Sequence, residues 1–123
     1  MTKGLWSSYG TSHIFDCGHG FVELDRHRPG HHCASLRIEV DEDARQTGLG
    51  TFMVGEAIEY AKTHDIHRIE LTPWRDNPVS TAFASRIAAK YGFRYEGMKR
   101  QAGYRGNGQF VDAVLYAWVN DGA

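Results

Sequence analysis

The stretch that decides the fold is Ser35–Tyr60, which reads SLRIEVDEDARQTGLGTFMVGEAIEY. Up to Val40 hydrophobic residues alternate with polar ones, a pattern typical of a half-buried strand. A loop with two glycines follows, and from Leu49 onward hydrophobic residues recur at helical spacing. A glycine loop between a strand and a helix collects backbone N–H groups at the positive end of the helix dipole, so it is suited to bind an anion. Gly48 and Gly50 would let a phosphate approach these amides closely.

Two common phosphate-binding loops are excluded by the same residues. The third glycine of the dinucleotide-binding fingerprint is missing, and no Gly-Lys-Ser/Thr follows as it would in a P-loop. For the loop considered alone, an ordinary strand-to-helix turn without a ligand is the alternative.

The composition predicts one ordinary globular domain over residues 1–123, with residues 1–11 irregular. Of the 123 residues, 41% are hydrophobic and 24% are charged, and the net charge of −1 argues against a nucleic-acid partner. Neither a membrane-spanning stretch nor a signal peptide is recognisable, so no membrane partner is expected. Two cysteines do not suggest a disulfide framework, and we expect a cytoplasmic protein with free thiols.

The remaining pattern predicts an α/β fold, in which a mixed, mostly antiparallel sheet surrounds a central βαβ unit. The β-hairpin signal near the C-terminus rests on the turn Arg105-Gly106-Asn107-Gly108. The predicted strands are His13–Asp16, Gly20–Asp25, Cys33–Val40, Arg68–Thr72, Phe93–Tyr104 and Phe110–Val119, and the predicted helices run from Gly50 to about His64 and from about Asn77 to Gly92.

Histidines and cysteines are concentrated in the first half of the chain, so a metal site has to be considered. Their spacing matches no structural zinc pattern, and we predict no metal. A small zinc protein is the weakest of the alternatives. The candidate ligands would be Cys17, His19, His31, His32 and Cys33.

Arg/Gln-x-x-Gly-x-Gly, placed five residues after Val40, resembles the acetyl-CoA pyrophosphate loop of the GNAT N-acetyltransferases. Further segments are similar to the RimJ/RimL-type ribosomal-protein N-terminal acetyltransferases of that superfamily, and the resemblance covers about residues 13–118. These segments are Gly20-Phe21-Val22, Ala34-Ser35-Leu36, Asn77-Pro78-Val79-Ser80, Tyr91-Gly92-Phe93, Glu96-Gly97, Gln101-Ala102-Gly103-Tyr104, and Asp112 with Tyr116.

The resemblance implies acetyl-CoA as co-substrate, with an amine attacking its thioester directly in a ternary complex. It implies that the backbone of Ile38 and Val40 pairs with the pantetheine arm. Asn77 would bond this arm or only cap the helix, and Ser80 would donate to the cofactor sulfur or only satisfy helix amides. The pyrophosphate would lie on the amides of Arg45, Gln46, Thr47, Gly48, Leu49, Gly50 and Thr51.

The sequence departs from the family pattern in three ways. Family members have a longer segment before the position of His13, so we expect the usual first strand and the acceptor-side helices to be missing. The acceptor side would then be open or completed by another chain. The segment from Asn77 to Gly92 is about one helical turn longer than is typical. The glutamate that is the family's candidate general base is Gly103 here, and the superfamily's general-acid tyrosine is Ala88.

With that glutamate missing, three other residues are candidate bases: Glu70 and Glu39 on neighbouring strands, and Tyr104. A water chain without a dedicated base is equally open.

We therefore expect a GNAT-type N-acetyltransferase that acts on a small-molecule amine or a protein N-terminus. A homodimer through the long C-terminal strands is also open, since edge strands invite pairing. The alternative is a non-catalytic acyl-CoA-binding or interaction module of the same fold, which the missing glutamate and the shortened N-terminus would favour.

Overall fold

A computed structural model of the chain describes residues 3–121. In this part of the chain it contains seven strands, two α-helices and one turn of 3₁₀ helix. The strands are β1 (Leu5–Tyr9), β2 (Ser12–Asp16), β3 (Gly20–Arg26), β4 (Cys33–Val40), β5 (Arg68–Leu71), β6 (Arg94–Gly106) and β7 (Gln109–Val119), the helices are α1 (Leu49–Thr63) and α2 (Pro78–Tyr91), and the 3₁₀ turn is Glu42–Ala44.

The chain divides into two compact units, and the boundary falls inside β5. The first unit runs to Ile69 and includes the C-terminal residues from Asn120; the second runs from Glu70 to Val119. In sheet order the first unit holds β1, β2, β3, β4 and the start of β5, and the second holds the end of β5, β7 and β6. The assignment of residues 1–123 to a single domain stays a prediction, and its terminal residues 1, 2, 122 and 123 lie outside the described part.

The first unit is an antiparallel meander of β1 to β4 with α1 packed on it. Alternate residues of β3 face α1, so Val22 and Leu24 are fully buried. They share this core with Met53 and Val54 of α1, which are also fully buried. Burial of each such side chain stabilises the fold by roughly 1.5–3 kcal/mol, which is why the period of two in β3 and the helical period in α1 were readable from the sequence.

Strand β1 corrects the expectation that residues 1–11 are irregular and that the fold lacks a first strand. Leu5–Tyr9 pairs antiparallel with β2 along its whole length. Trp6, the one half-buried residue of the strand, stacks its ring on that of Tyr60 at 3.9 Å between centroids. Only Gly10 and Thr11 separate β1 from β2, so no helix lies at this point, as the sequence predicted.

In the second unit, helix α2 has local signals at both ends. Asn77 caps it, Pro78 occupies its first position, and Gly92 ends it with a φ of +79° that glycine adopts readily. Its fully buried side chains are Ala84 and Ile87. Phe83, Ile87 and Tyr91 recur at helical spacing along α2, and of these three only Ile87 is buried.

The hairpin of β6 and β7 turns at Asn107 and Gly108, which both have positive φ as a two-residue hairpin turn requires. Its register shifts at three places, between Tyr95 and Gly97, Lys99 and Gly103, and Tyr104 and Gly106. Such bulges interrupt the regular row of backbone groups along β6, the last strand in sheet order, and so blunt it as a template for pairing. A homodimer through this strand stays a prediction.

Neither described helix combines the length and the apolar composition needed to cross a membrane.

Candidate functional site

The loop between β4 and α1 has a backbone shape suited to an anion. Gln46 and Gly48 both adopt left-handed conformations, with φ of +62° and +87°. Left-handed residues in a tight loop turn successive N–H groups towards one side, which is how backbone nests form. A glycine is needed at position 48 because side chains are strained at this φ.

Gly48 is also the N-cap of α1, and its carbonyl accepts the first helical hydrogen bond from the Phe52 amide at 2.9 Å. A glycine has no side chain with which to cap the helix, and the first turn of α1 contains no acidic residue. The positive end of the helix dipole is therefore not neutralised by a first-turn carboxylate of this helix. Leu49 and Gly50 supply the first amides of that helix end.

The loop is fixed by its own side chains. Arg45 donates from Nε to the Val40 carbonyl at 3.2 Å, and Thr47 donates from Oγ1 to the Ala44 carbonyl. These bonds close the loop onto the end of β4 and onto the 3₁₀ turn before it. A phosphate would meet a loop whose conformation is already set, which reduces the entropy lost on binding.

The structure places the two predicted carboxylates in different units. Glu39 lies in the first unit, on β4 opposite Phe21, with its exposed side chain 3.8 Å from Nη1 of Arg37. Arg37 also bonds Glu23 at 3.1 Å, so Glu39 belongs to a surface ion-pair network. Such exposed pairs are usual on sheets and by themselves indicate no catalysis. Glu70 lies in the second unit, half-buried on β5.

Asn77 and Ser80 are joined at the start of α2. The side-chain Oδ1 of Asn77 accepts a hydrogen bond from the Ser80 amide at 3.1 Å, so the capping role considered for Asn77 is observed. The cap uses only Oδ1, and the same amide carries two donor hydrogens on Nδ2. Ser80 is the third residue of the helix and half-buried, so it is not the residue that caps α2.

Tyr104, the third candidate base, serves the hairpin turn. Its hydroxyl accepts a hydrogen bond from the Gly108 amide at 3.3 Å, and its ring lies against Phe110 with 5.1 Å between centroids. The side chain is 63% exposed. These contacts give Tyr104 a structural role in the hairpin turn.

Trp74 explains why no carboxylate stands at position 103. A Cβ atom on Gly103 would lie 2.8 Å from the Trp74 ring and 2.9 Å from Cγ1 of Val111, closer than carbon atoms approach in proteins. The indole thus occupies the space that a side chain at 103 would need. The glycine is visible in the sequence as a departure from the family pattern, but nothing in the sequence indicates that a tryptophan 29 residues earlier fills its place.

We predict that Gly103→Ala lowers the free energy of unfolding by about 1–3 kcal/mol, because the added methyl group overpacks the contact with the Trp74 ring and Val111. In a Trp74→Ala background the same change should cost clearly less, since the ring is gone. Urea denaturation of the four proteins in this double-mutant cycle measures the coupling. Strictly additive losses would show that Trp74 does not fill this space.

The first-half cysteines do not share one environment. Cys17 Sγ lies 3.8 Å from Sδ of Met53, whereas Cys33 Sγ lies 3.6 Å from Nε2 of His27. Neither cysteine forms a disulfide within the described part of the chain, as the sequence predicted, and His19 is exposed. The five predicted candidate ligands are therefore not gathered around a single point. The expectation of no metal stays a prediction.

Comparison with known proteins gives matches at the family level and among solved structures. The profile of the acetyltransferase (GNAT) family matches residues 17–88, more than half of the chain. No curated protein gives a significant match. An acetyltransferase of the GNAT family from Streptococcus pneumoniae is 27% identical with a TM-score of 0.71, over 91% of this chain and 69% of that one.

Two further solved structures are informative. RimL, a ribosomal L7/L12 α-N-protein acetyltransferase, is 26% identical with a TM-score of 0.70, over 88% of this chain and 68% of that one. A protein from Salmonella typhimurium, solved with its cofactor acetyl-CoA, is 18% identical with a TM-score of 0.73, over 91% of this chain and 66% of that one. The chain thus spans about two thirds of the length of each. The predicted fold and the likeness to Rim-type acetyltransferases are confirmed, while the Salmonella protein, at its low identity, supports the fold alone.

Proposed function

Because the chain belongs to the acetyltransferase (GNAT) family and is an N-acetyltransferase, we propose that its β4–α1 loop binds the pyrophosphate of acetyl-CoA and that a primary amine is the acetyl acceptor. The observation that carries the cofactor site is the loop geometry. Gln46 and Gly48 have the left-handed conformations that favour a backbone anion nest, and the helix end that follows has no acidic residue in its first turn. The match to the acetyltransferase (GNAT) family covers residues 17–88, which include this loop, and supports this choice of ligand.

We assign the remaining cofactor contacts to the residues that the family resemblance indicates. We assign the pantetheine arm to the backbone of Ile38 and Val40, both half-buried on β4, and to the Nδ2 group of Asn77. The Val40 carbonyl accepts from Arg45 already, so its amide is the better placed of its two backbone groups for a ligand. The pyrophosphate contacts are assigned to the backbone from Arg45 to Thr51.

The proposed reaction is a direct transfer in a ternary complex. The lone pair of a neutral amine attacks the thioester carbonyl, the C–N bond forms, and the C–S bond breaks as the tetrahedral intermediate collapses. The amine loses one proton and the departing coenzyme A thiolate gains one. We assign the proton delivered to sulfur to the hydroxyl of Ser80, which takes a proton back from water as it is given up, so that one proton is lost by the amine and one is gained by the thiolate. Holding both reactants in one site supplies much of the rate advantage.

We assign removal of the amine proton to water. Position 103 has no carboxylate, Glu39 is engaged with Arg37, and Tyr104 is engaged in the hairpin turn. Glu70 is the remaining candidate base, and Glu70→Gln tests it. An unchanged pH profile of kcat supports water as the acceptor of the amine proton, whereas an altered profile supports Glu70.

The acceptor is proposed as a protein N-terminus or a small-molecule amine. The likeness to RimL, which acts on the α-amino group of a ribosomal protein, supports the first of these classes. Both classes present a primary amine that must lose a proton to react, so the chemistry assigned to the chain is the same for each.

The function is tested by calorimetric titration with acetyl-CoA and by an assay of thiol release with a panel of N-terminal peptides, polyamines and aminoglycosides. We expect saturable binding and turnover with at least one amine class, with KM values between about 1 μM and 1 mM as is usual for enzymes. Binding without turnover on the whole panel would favour an acyl-CoA-binding module. Failure to bind acetyl-CoA would overturn the proposal.

A further inference from the structure

A chain of polar side chains joins three strands of the first unit to α1. His13 on β2 lies at its centre, with Nδ1 2.8 Å from the Tyr60 hydroxyl and 2.9 Å from the Ser8 hydroxyl. Nε2 of the same ring accepts a hydrogen bond from Nε of Arg26 on β3 at 3.1 Å. We call these four residues the latch. Their side-chain hydrogen bonds tie β1 to α1, because Ser8 belongs to β1 and Tyr60 to α1.

The directions of the hydrogen bonds fix the protonation state of His13. An arginine can only donate, so Nε2 of His13 must carry a lone pair. The single ring proton is then on Nδ1, where it is donated to the hydroxyls of Tyr60 and Ser8. Those two hydroxyl oxygens are 3.4 Å apart, within hydrogen-bond distance of each other. With neutral His13, every contact from Arg26 to Ser8 on β1 therefore has one donor and one acceptor. The latch is complete only while His13 is neutral.

Arg26 cannot readily move to accommodate a second proton. Its guanidinium also donates to the backbone carbonyls of His31 and His64, so it is held at three points. A proton on Nε2 would set two donors and two positive charges against each other at this contact. The ring of His13 would therefore be the group that turns away, and its bonds to Tyr60 and Ser8 would break with it.

We propose that the latch makes the attachment of β1 dependent on pH: β1 is held on α1 while His13 is neutral, and protonation of His13 loosens it. The charges around His13 act in the direction that this proposal requires. The pKa of His13 is lowered from its ordinary value of 6.5, first by burial and then by the positive charges of Arg26 and His64, with Asp25 opposing them. Asp25 accepts a hydrogen bond from the Thr11 hydroxyl at 2.6 Å, so part of its charge is already engaged.

The sign of the effect follows from linkage. A histidine whose pKa is lower in the folded protein stabilises the fold fully above pH 6.5, and this contribution is lost as the pH falls through the folded value. Loss of the bonds to His13 leaves β1 with its backbone pairing to β2, the Trp6 ring contacts with Tyr60 and Phe15, and the 3.4 Å contact between the Ser8 and Tyr60 hydroxyls. Only one residue of β1 is half-buried and none is buried, and elements with few buried apolar contacts open most readily.

Loosening of β1 would also uncover apolar surface. Leu5 lines a shallow depression of about 570 Å³ together with Phe15 and Phe52. Phe15 is only 4% exposed in the latched state, and it lies 5.5 Å from the Trp6 ring, centroid to centroid. Departure of Trp6 and Leu5 would expose it.

Hydrogen exchange of the full chain followed by mass spectrometry tests the proposal. At about pH 7.5 and about pH 5, protection factors corrected for the intrinsic exchange rate should differ about tenfold in the segment of residues 5–9, the loss expected for one charge-sensitive hydrogen bond. Dye binding to apolar surface should rise over the same pH range. In His13→Gln, whose carbonyl can accept from Arg26 without becoming charged, protection should be independent of pH.

Three further variants keep the result decisive. Tyr60→Phe should give low protection of β1 at both pH values, because the latch is then broken throughout. His19→Gln, which changes an exposed histidine outside the latch, should behave like the parent. The His64 ring also stacks on Tyr60, at 3.7 Å between centroids. If His64→Gln abolishes the pH dependence while His13→Gln retains it, His64 is the sensor and the proposal is overturned. Equal protection of β1 in the parent at both pH values would overturn it as well.

Discussion

Gly50→Asp will weaken the binding of coenzyme A by about 100-fold and leave the protein as stable as the parent or slightly more so. Gly50 is the second residue of α1, two positions after the left-handed Gly48 that caps it. A carboxylate there would compete for the backbone N–H groups assigned to the pyrophosphate. Loss of two hydrogen bonds to a charged ligand, at about 1.5–3 kcal/mol each, accounts for at least a factor of this size.

The opposite signs of the two effects make this substitution informative. An acidic residue in the first turn interacts favourably with the helix dipole, by typically 0.3–1 kcal/mol. Alanine also replaces glycine favourably in helices, but it adds no charge. Gly50→Ala therefore serves as the companion variant. It has the higher helix propensity of a non-glycine residue without the carboxylate charge, and it removes only part of the space above the amides. Its affinity should fall between those of the parent and Gly50→Asp.

Calorimetric titration with coenzyme A and thermal unfolding of the same samples measure both effects. Thr63→Asp puts the same charge at the last residue of α1, about 20 Å away at 1.5 Å per residue, and should leave the affinity unchanged. Parental affinity in Gly50→Asp would place the pyrophosphate elsewhere. A loss of affinity that accompanies a lowered midpoint of unfolding would have to be attributed to folding.

Much of this fold was readable because its elements rest on local signals. Cys33–Val40 alternates strictly enough to fix its bounds, which the structure reproduces. Helix α2 begins after Asn77 and ends at Gly92, where short side chains and a glycine satisfy the helix ends within a few residues of sequence. The loop at Gly48 could also be predicted from a local signal. Its left-handed backbone requires a glycine, and that glycine can be recognised directly in the sequence.

The misses have one physical cause, namely contacts between residues far apart in sequence. Strand β1 has only one half-buried residue, Trp6, and its partner Tyr60 comes 54 residues later. The contact of Trp74 with Gly103 and the latch around His13 are of the same kind. The sequence shows a glycine where the family has its candidate base, but it does not show that the Trp74 ring fills the space at that position.

Ser80→Ala is expected to lower kcat by about 100-fold with little change in the KM for acetyl-CoA. The hydroxyl assigned to the departing sulfur acts only as the C–S bond breaks, so its loss affects the transition state and not ground-state binding. Positioned general acids contribute typically 10²–10⁴-fold. The Asn77 cap accepts from the Ser80 amide and not from its side chain, so the helix end should survive the change.

The control is the hydroxyl one residue later. Thr81 donates from Oγ1 to the carbonyls of Asn77 and Pro78, which is a structural arrangement within the helix. Thr81→Val should therefore cost stability without the selective loss of kcat. Ser80→Thr keeps a hydroxyl and should recover most of the rate. If Ser80→Ala and Thr81→Val lower kcat equally, Ser80 acts through the helix and not on the sulfur.

The pH dependence separates proton donation from simple packing. A simple thiol has a pKa near 8.5, so its thiolate needs a proton less as the pH rises past that value. The ratio of kcat in the parent to kcat in Ser80→Ala should therefore be largest near neutral pH and shrink above about pH 9. A cavity left by the missing hydroxyl would lower both rates by a factor that does not depend on pH. Stopped-flow measurement of thiol release across this range distinguishes the two, because only a proton donor becomes dispensable when its acceptor is a stable anion.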